Sequence, residues 1–138
     1  MSTNWVKDIE LMHQHYKSKD LIKNLSKKQL ENFLNFRIKF INEELTELSE
    51  AFNSPDDTVD ALIDICVVAI GTLDLFEVDA NVAWDRVLAA NMNKTPGVKA
   101  TRPNPFGFPD LIKPEGWIAP THVDNVGCLP VLLIPPEA

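Results

Sequence analysis

The sequence predicts an all-α protein, an antiparallel helical bundle completed by oligomerisation, with an extended proline-rich C-terminal tail. Three observations carry that prediction. Proline divides the chain, since only Pro55 precedes Thr95 while all the others fall between Pro96 and Pro136. Before Thr95 the apolar residues recur at helical spacing, without strand alternation. The apolar runs are separated by serine- or aspartate-headed breaks of the kind that start helices.

Asn4 to Tyr16 reads as the first helix, with Trp5, Ile9 and Met12 at helical spacing and Val6 and His13 beside them. Ser26-Lys27-Lys28-Gln29 has the form of a capping box. It opens a long helix carrying Leu30, Leu34, Ile38, Ile41, Leu45, Leu48 and Phe52, which ends near Asn53. Ser54-Pro55-Asp56-Asp57 then supplies an N-cap, a proline at the first helical position and acids in the first turn. The third helix runs from Pro55 to about Phe76. Asp79 caps a fourth, through Trp84 and Val87 to about Met92, and Pro96-Gly97 stops it. Residues 1–94 thus form a helical domain and residues 95–138 a tail. The tail keeps Phe106, Phe108, Trp117 and the run Leu129 to Ile134, more apolar surface than a free linker carries. It is expected to lie extended across the helical body or a neighbouring subunit. Trp5, Tyr16, Trp84, Phe106 and Trp117 read as core in preference to base-stacking residues.

A chain of 138 residues fits one domain, short enough for its helices to finish burying their faces against a second copy. A homodimer or homotetramer is expected. The formal charge of −7 opposes binding of long nucleic acid. The start, MSTNWVKDIE, has no basic-then-apolar signal, and the longest apolar run, Ile65 to Leu73, is too short to span a bilayer. A cytoplasmic protein without a membrane partner is expected. Cys66 and Cys128 stand in unlike settings and in no ligand-spaced cluster, so both read as reduced thiols without zinc.

The acids are where the pattern breaks. With Glu44 set at zero on a helical wheel, Phe33 and Ala51 fall about 20° to one side and Leu30 and Leu48 about 40° to the other. Glu44 therefore sits in the middle of the apolar stripe. Glu47 is about 60° away, Glu43 and Glu50 lie near the edge of the stripe, and Arg37 points the same way as Glu44 about two turns earlier. On the third helix Asp57, Asp60 and Asp64 stand at successive turns and line up with Val67, Val68, Gly71 and Leu75. Antiparallel packing through these faces sets Glu44 and Glu47 against Asp60 and Asp64. Carboxylates directed into a core cost several kcal/mol unless a positive charge meets them. All-oxygen ligands, with no histidine or cysteine among them, suit Mg2+ or Mn2+. The simpler reading, solvated acids paired with Lys39 or Arg37, serves a single acid but not two sets centred on apolar faces.

These residues resemble a family. Glu43-Glu44-Leu45-Thr46-Glu47 is similar to the EExxE motif of the MazG-like and phosphoribosyl-ATP pyrophosphohydrolase-like proteins of the all-α NTP pyrophosphatase superfamily. Asp60-Ala61-Leu62-Ile63-Asp64 with the following apolar run resembles its second acidic helix, and Ala90-Asn91-Met92-Asn93-Lys94 is similar to the Asn-Met-x-Lys helix ending of phage-type members. The second motif departs from the usual ExxD. Ending it at Asp64 puts Ala61 in the glutamate's place, and ending it at Asp60 puts Asp57 there.

The resemblance implies hydrolysis of a nucleoside triphosphate to a monophosphate and pyrophosphate, with a purine deoxynucleotide such as dGTP as a candidate substrate. It implies metal ligands Glu44, Glu47 and Asp64, then Asp60, with Asp57 in reserve. Glu43 would complete a second metal site or orient the attacking water, and Asn91 and Lys94 would bind phosphate or base. Lys94 reads equally as a solvated cation favoured by the helix dipole.

Two other classes compete. A ferritin-like carboxylate metal protein uses Glu-x-x-His twice on core helices, and this chain has it once, at Glu10 to His13, read instead as lying on a helix surface or near a subunit contact. A non-catalytic helical adaptor would pair through Leu34, Ile38, Ile41, Leu45, Leu48 and Phe52, but such an interface has no use for buried acids.

Overall fold

The computed structural model describes residues 1–103, 106 and 110–136. Phe108, expected among the apolar residues of the tail, lies outside the described residues. Five helices follow one another: α1 (Trp5–His15), α2 (Ser18–Ile22), α3 (Lys27–Glu50), α4 (Pro55–Leu75) and α5 (Ala80–Met92). Two short strands, β1 (Thr95–Gly97) and β2 (Asp110–Ile112), pair antiparallel with Thr95 opposite Ile112 and Gly97 opposite Asp110. Among the described residues the protein is all-α apart from this small ribbon. The chain divides into two compact units, one of Met1–Ala80 with the tail from Asn125, the other of Asn81–Asp124.

In the first unit the helix starts are those the side chains dictate. Asn4 Oδ1 accepts from the Lys7 amide at 3.0 Å. Ser26 and Gln29 close a reciprocal capping box, at 3.2 Å and 2.8 Å, which satisfies two otherwise unpaired amides at the head of α3. Ser54 Oγ accepts from the Asp57 amide, and Pro55 occupies the first position of α4, where no amide hydrogen is needed.

α3 and α4 are antiparallel, as their cross-contacts show. Phe33 packs its ring 5.6 Å from that of Phe76, Arg37 bonds Thr72 and Val68, and the Thr58 hydroxyl donates to the Ala51 carbonyl. Phe76, just beyond α4, is fully buried and closes this end of the core. α1 lies on α4. His13 Nδ1 is 2.6 Å from the Asp74 carboxylate, and Lys19 of α2 reaches the other Asp74 oxygen at 2.9 Å. His13 is therefore buried, which corrects the surface position expected of the Glu10–His13 pair. Asp74 lies buried opposite the ring and satisfies it, so burial leaves no bare polar atom at Nδ1. Glu10 pairs instead with Lys7 at 3.5 Å.

α2 was not anticipated. Five residues are too few to show a period, and the break from α1 is made by Lys17 at φ 56°, a left-handed turn that the sequence does not announce with glycine.

The returning tail joins the same unit through backbone-scale contacts. Asn125 and Asp79 exchange hydrogen bonds, at 2.9 Å each, and the Cys128 amide donates to the Phe76 carbonyl at 2.8 Å. Gly127 sits at φ 53° where a Cβ would lie 1.9 Å from the Phe76 oxygen, so only glycine permits this approach. Farther on, Leu132 to Pro136 face Lys28, Asn32, Asn35, Phe36 and Lys39 of α3 across a cavity of about 590 Å3.

In the second unit Trp117 is pinned by donating from Nε1 to the Ala90 carbonyl at 2.8 Å, and Arg86 makes a two-pronged contact with Asp124 at 2.6 Å and 2.8 Å. Trp5, Tyr16, Trp84 and Phe106 do not enter the core: each is more than half exposed in the single chain. Among the described residues no helix is long and apolar enough to cross a membrane, and Cys66 and Cys128 are free thiols.

Candidate metal centre

The antiparallel register decides which acids meet. Going down α3 from Arg37 and up α4 from Thr72, the next face-to-face level holds Glu44 and Asp64. One carboxylate oxygen from each of Glu44, Glu47 and Asp64 lies within 4.8 Å of the others. The three differ in exposure: Glu44 is buried, Asp64 half-buried and Glu47 exposed, so the cluster has a closed floor and an open mouth.

Glu44 is the strained member. Its Oε2 is buried with no hydrogen-bond partner. Burial raises its pKa above the ordinary glutamate range, and the nearby carboxylates of Glu47, Asp64 and, more weakly, Glu43 push it the same way. A buried acceptor left bare beside two more acceptors lacks a cation or a proton, and hard oxygen donors at this spacing fit a small divalent ion. The residues present thus fit Mg2+ or Mn2+ on their own chemistry.

The remaining predicted residues are distributed around this group. Asp60 is exposed and stands outside the tight triad, in a cleft of about 280 Å3 that it lines with Glu47, Glu50, Asp57, Ala51 and Ala61. Ala61, one of the two residues that could stand in the place of the motif's glutamate, is buried in the packing, and Asp57, the other, lines the cleft with Asp60. Glu43 is exposed on the flank of α3. Asn91 and Lys94 belong to the second unit. There the Lys94 ammonium stands 5.2 Å from the centre of the Trp117 ring, whose plane also receives Lys113 at 5.1 Å. Lys94 is thus engaged by an aromatic face and is not the freely solvated helix-end cation.

Two features of this region have partners that only the fold decides. One is the His13–Asp74–Lys19 cluster, for which an aspartate late in an otherwise apolar helix was the available signal. The other is Arg37, whose guanidinium is half-buried against α4 and whose hydrogen bonds go to Thr72 Oγ1 and the Val68 carbonyl. Wheel geometry placed it on the acid-bearing face but gave it no partner.

A family model described as phosphoribosyl-ATP pyrophosphohydrolase matches residues 12–91, more than half of the chain, and spans both acidic helices as far as Asn91. No curated protein and no solved structure gives a significant match.

Proposed function

Because the chain belongs to the phosphoribosyl-ATP pyrophosphohydrolase family, which places it among pyrophosphohydrolases, we propose that it is a metal-dependent nucleoside triphosphate pyrophosphohydrolase. In this reading a (d)NTP and water give the (d)NMP and pyrophosphate. The observation that carries it is the convergence of Glu44, Glu47 and Asp64, with the buried Glu44 Oε2 left without a partner. Glu44, Glu47 and Asp64 would hold Mg2+ or Mn2+, with Asp60 and, in reserve, Asp57 extending the acidic wall of the adjoining cleft. Such an ion supplies charge neutralisation of the phosphates and a lowered pKa for water.

The protein's own residues do the rest. Buried Glu44 fixes the position of the floor, because its helix is clamped to α4 on both sides of it by Arg37–Thr72 and Ala51–Thr58. Exposed Glu47 faces the solvent side from which a nucleotide arrives. Glu43, one residue from Glu44 and open to solvent, would complete a second metal site or orient the attacking water. Asn91 and Lys94 are assigned to phosphate or base contact. A purine such as dGTP is the first substrate to try, and a homodimer or homotetramer in the cytoplasm completes the reading. The experiment is a screen of the common NTPs and dNTPs with Mg2+ and with Mn2+, reading pyrophosphate. Release of pyrophosphate from at least one nucleotide, lost on chelation, is the expected result. Orthophosphate as the only product would place the cleavage at another bond and end the proposal.

A further inference from the structure

Arg37 is a cation without an anion. It lies on the Glu44 face of α3, and its guanidinium is held by two neutral acceptors, Thr72 Oγ1 at 2.9 Å and the Val68 carbonyl at 3.0 Å. Among the described residues no carboxylate pairs with it. Burial lowers its pKa from the ordinary arginine value, so the protein holds this charge at a cost. The helix opposite makes room for it. A Cβ on Gly71 would come within 2.9 Å of Arg37 Nη2, so the absence of a side chain there lets the guanidinium lie flat against α4. Val68, its anchor, is one turn beyond Asp64, about 6 Å along α4.

The α3–α4 pair therefore carries three carboxylates that lack a cation and, about one to two turns farther along α4, a guanidinium with no anion among the described residues. A metal-bound polyphosphate meets both needs at once. We propose that Arg37 is a substrate-binding residue whose guanidinium donates to the non-bridging oxygens of the phosphates beyond the α position, the part that leaves as pyrophosphate. Gly71, Thr72 and the Val68 carbonyl position it for this. A planar guanidinium suits phosphate oxygens better than an ammonium, because its donors form a fixed fork. The proposal rests on the pyrophosphohydrolase reading of the acid cluster.

Inorganic tripolyphosphate in the presence of Mn2+ is the probe, titrated by calorimetry into the wild type and the Arg37→Gln, Arg37→Lys and Gly71→Ala proteins. Mn2+ alone is titrated in parallel, and KM and kcat are measured on the best nucleotide. Arg37→Gln should weaken tripolyphosphate binding and raise KM about ten- to a hundredfold, the value of a charge-assisted hydrogen bond, with affinity for Mn2+ alone kept. Arg37→Lys should fall between. Gly71→Ala, whose Cβ displaces the end of Arg37 while alanine favours the helix, should bind tripolyphosphate about tenfold more weakly and stay folded. It therefore reads the site even if Arg37→Gln does not fold. Unchanged tripolyphosphate affinity and KM in both Arg37→Lys and Gly71→Ala, with or without a fall in melting temperature, would overturn the proposal and leave Arg37 a mere clamp between helices. A wild type that hydrolyses nucleotides with a KM indifferent to Arg37 leaves the enzyme reading standing and sinks this one. Arg37-dependent tripolyphosphate binding in a protein that hydrolyses no nucleotide would sink the enzyme reading and, with it, the assignment to a leaving pyrophosphate, leaving Arg37 a polyphosphate-binding residue.

Discussion

Replacing Glu44 by glutamine should raise the stability of the metal-free protein and lower its response to metal. Glu44 has two carboxylate neighbours, Glu47 and Asp64, with oxygens within 4.8 Å. Two unit charges at 4.8 Å repel by about 3.5 kcal/mol at an effective dielectric near 20. Solvent at exposed Glu47 reduces its share, and proton uptake by Glu44 caps the total. A net gain of about 1 to 3 kcal/mol is therefore expected on removing the charge. The glutamine amide keeps the shape and can donate to the neighbouring carboxylates, so it leaves no bare polar group. For a chain of this length that gain is a rise of roughly 3 to 10 °C in melting temperature.

The pH dependence has a definite sign. Because the folded Glu44 holds its proton more tightly than the unfolded one, the native state binds more protons above the ordinary glutamate range, and stability falls as pH rises there. At lower pH both states are protonated and this contribution vanishes. The difference between the Glu44→Gln and wild-type proteins should accordingly be near zero in acid and open as pH rises through the glutamate range. Metal reverses the order: at a hundredfold excess over Kd the wild type gains about 2.7 kcal/mol from binding to the native state alone, while the variant gains less. Thermal scans in chelator and in millimolar Mn2+, each across pH, are the assay. A Glu44→Gln protein that melts below the wild type in chelator, or shifts equally with metal, would show that the three carboxylates do not act as one site.

Asp64→Asn should nearly abolish hydrolysis while far-UV circular dichroism stays helical, and near-normal turnover would remove Asp64 from the ligand set. Asp60→Asn and Asp57→Asn, outside the triad, should weaken metal binding less than Asp64→Asn; a larger loss at either, by calorimetry, would move the centre into the adjoining cleft. Phe76→Ala should cost about 3 to 5 kcal/mol in urea unfolding, because the ring is fully buried against Phe33, and a loss under 1 kcal/mol would mean that the ring is not a core anchor. Light scattering at micromolar concentration should give a dimer or tetramer, which would cover Trp5, Val59, Leu62, Ile63 and Trp84; a clean monomer ends that expectation.

Much of the fold was legible because helices are written in short-range chemistry. Ser26 with Gln29, Ser54 with Pro55, and Asn4 each mark a helix start within four residues, and each start is found where those residues stand. The placement of Glu44 on an apolar stripe was equally local, since a period of 3.6 residues fixes which side chains share a face. So was the prospect of a metal, which follows from the types of residue that share that face. What the sequence could not carry was anything set by the sliding of one helix along another. Two acid-bearing faces can meet at several registers, one turn apart, and each brings a different aspartate to Glu44 and Glu47. The choice falls to distant contacts, the Phe33–Phe76 rings, the Arg37 bonds to Thr72 and Val68, and the Thr58–Ala51 bond, which together bring Asp64 level with Glu44 and leave Asp60 outside the triad. The burial of His13 against Asp74, 61 positions away, is of the same kind. Helical faces come from bonds between near neighbours and can be read from the chain, whereas register comes from side-chain packing summed over the whole interface, and only the folded protein performs that sum.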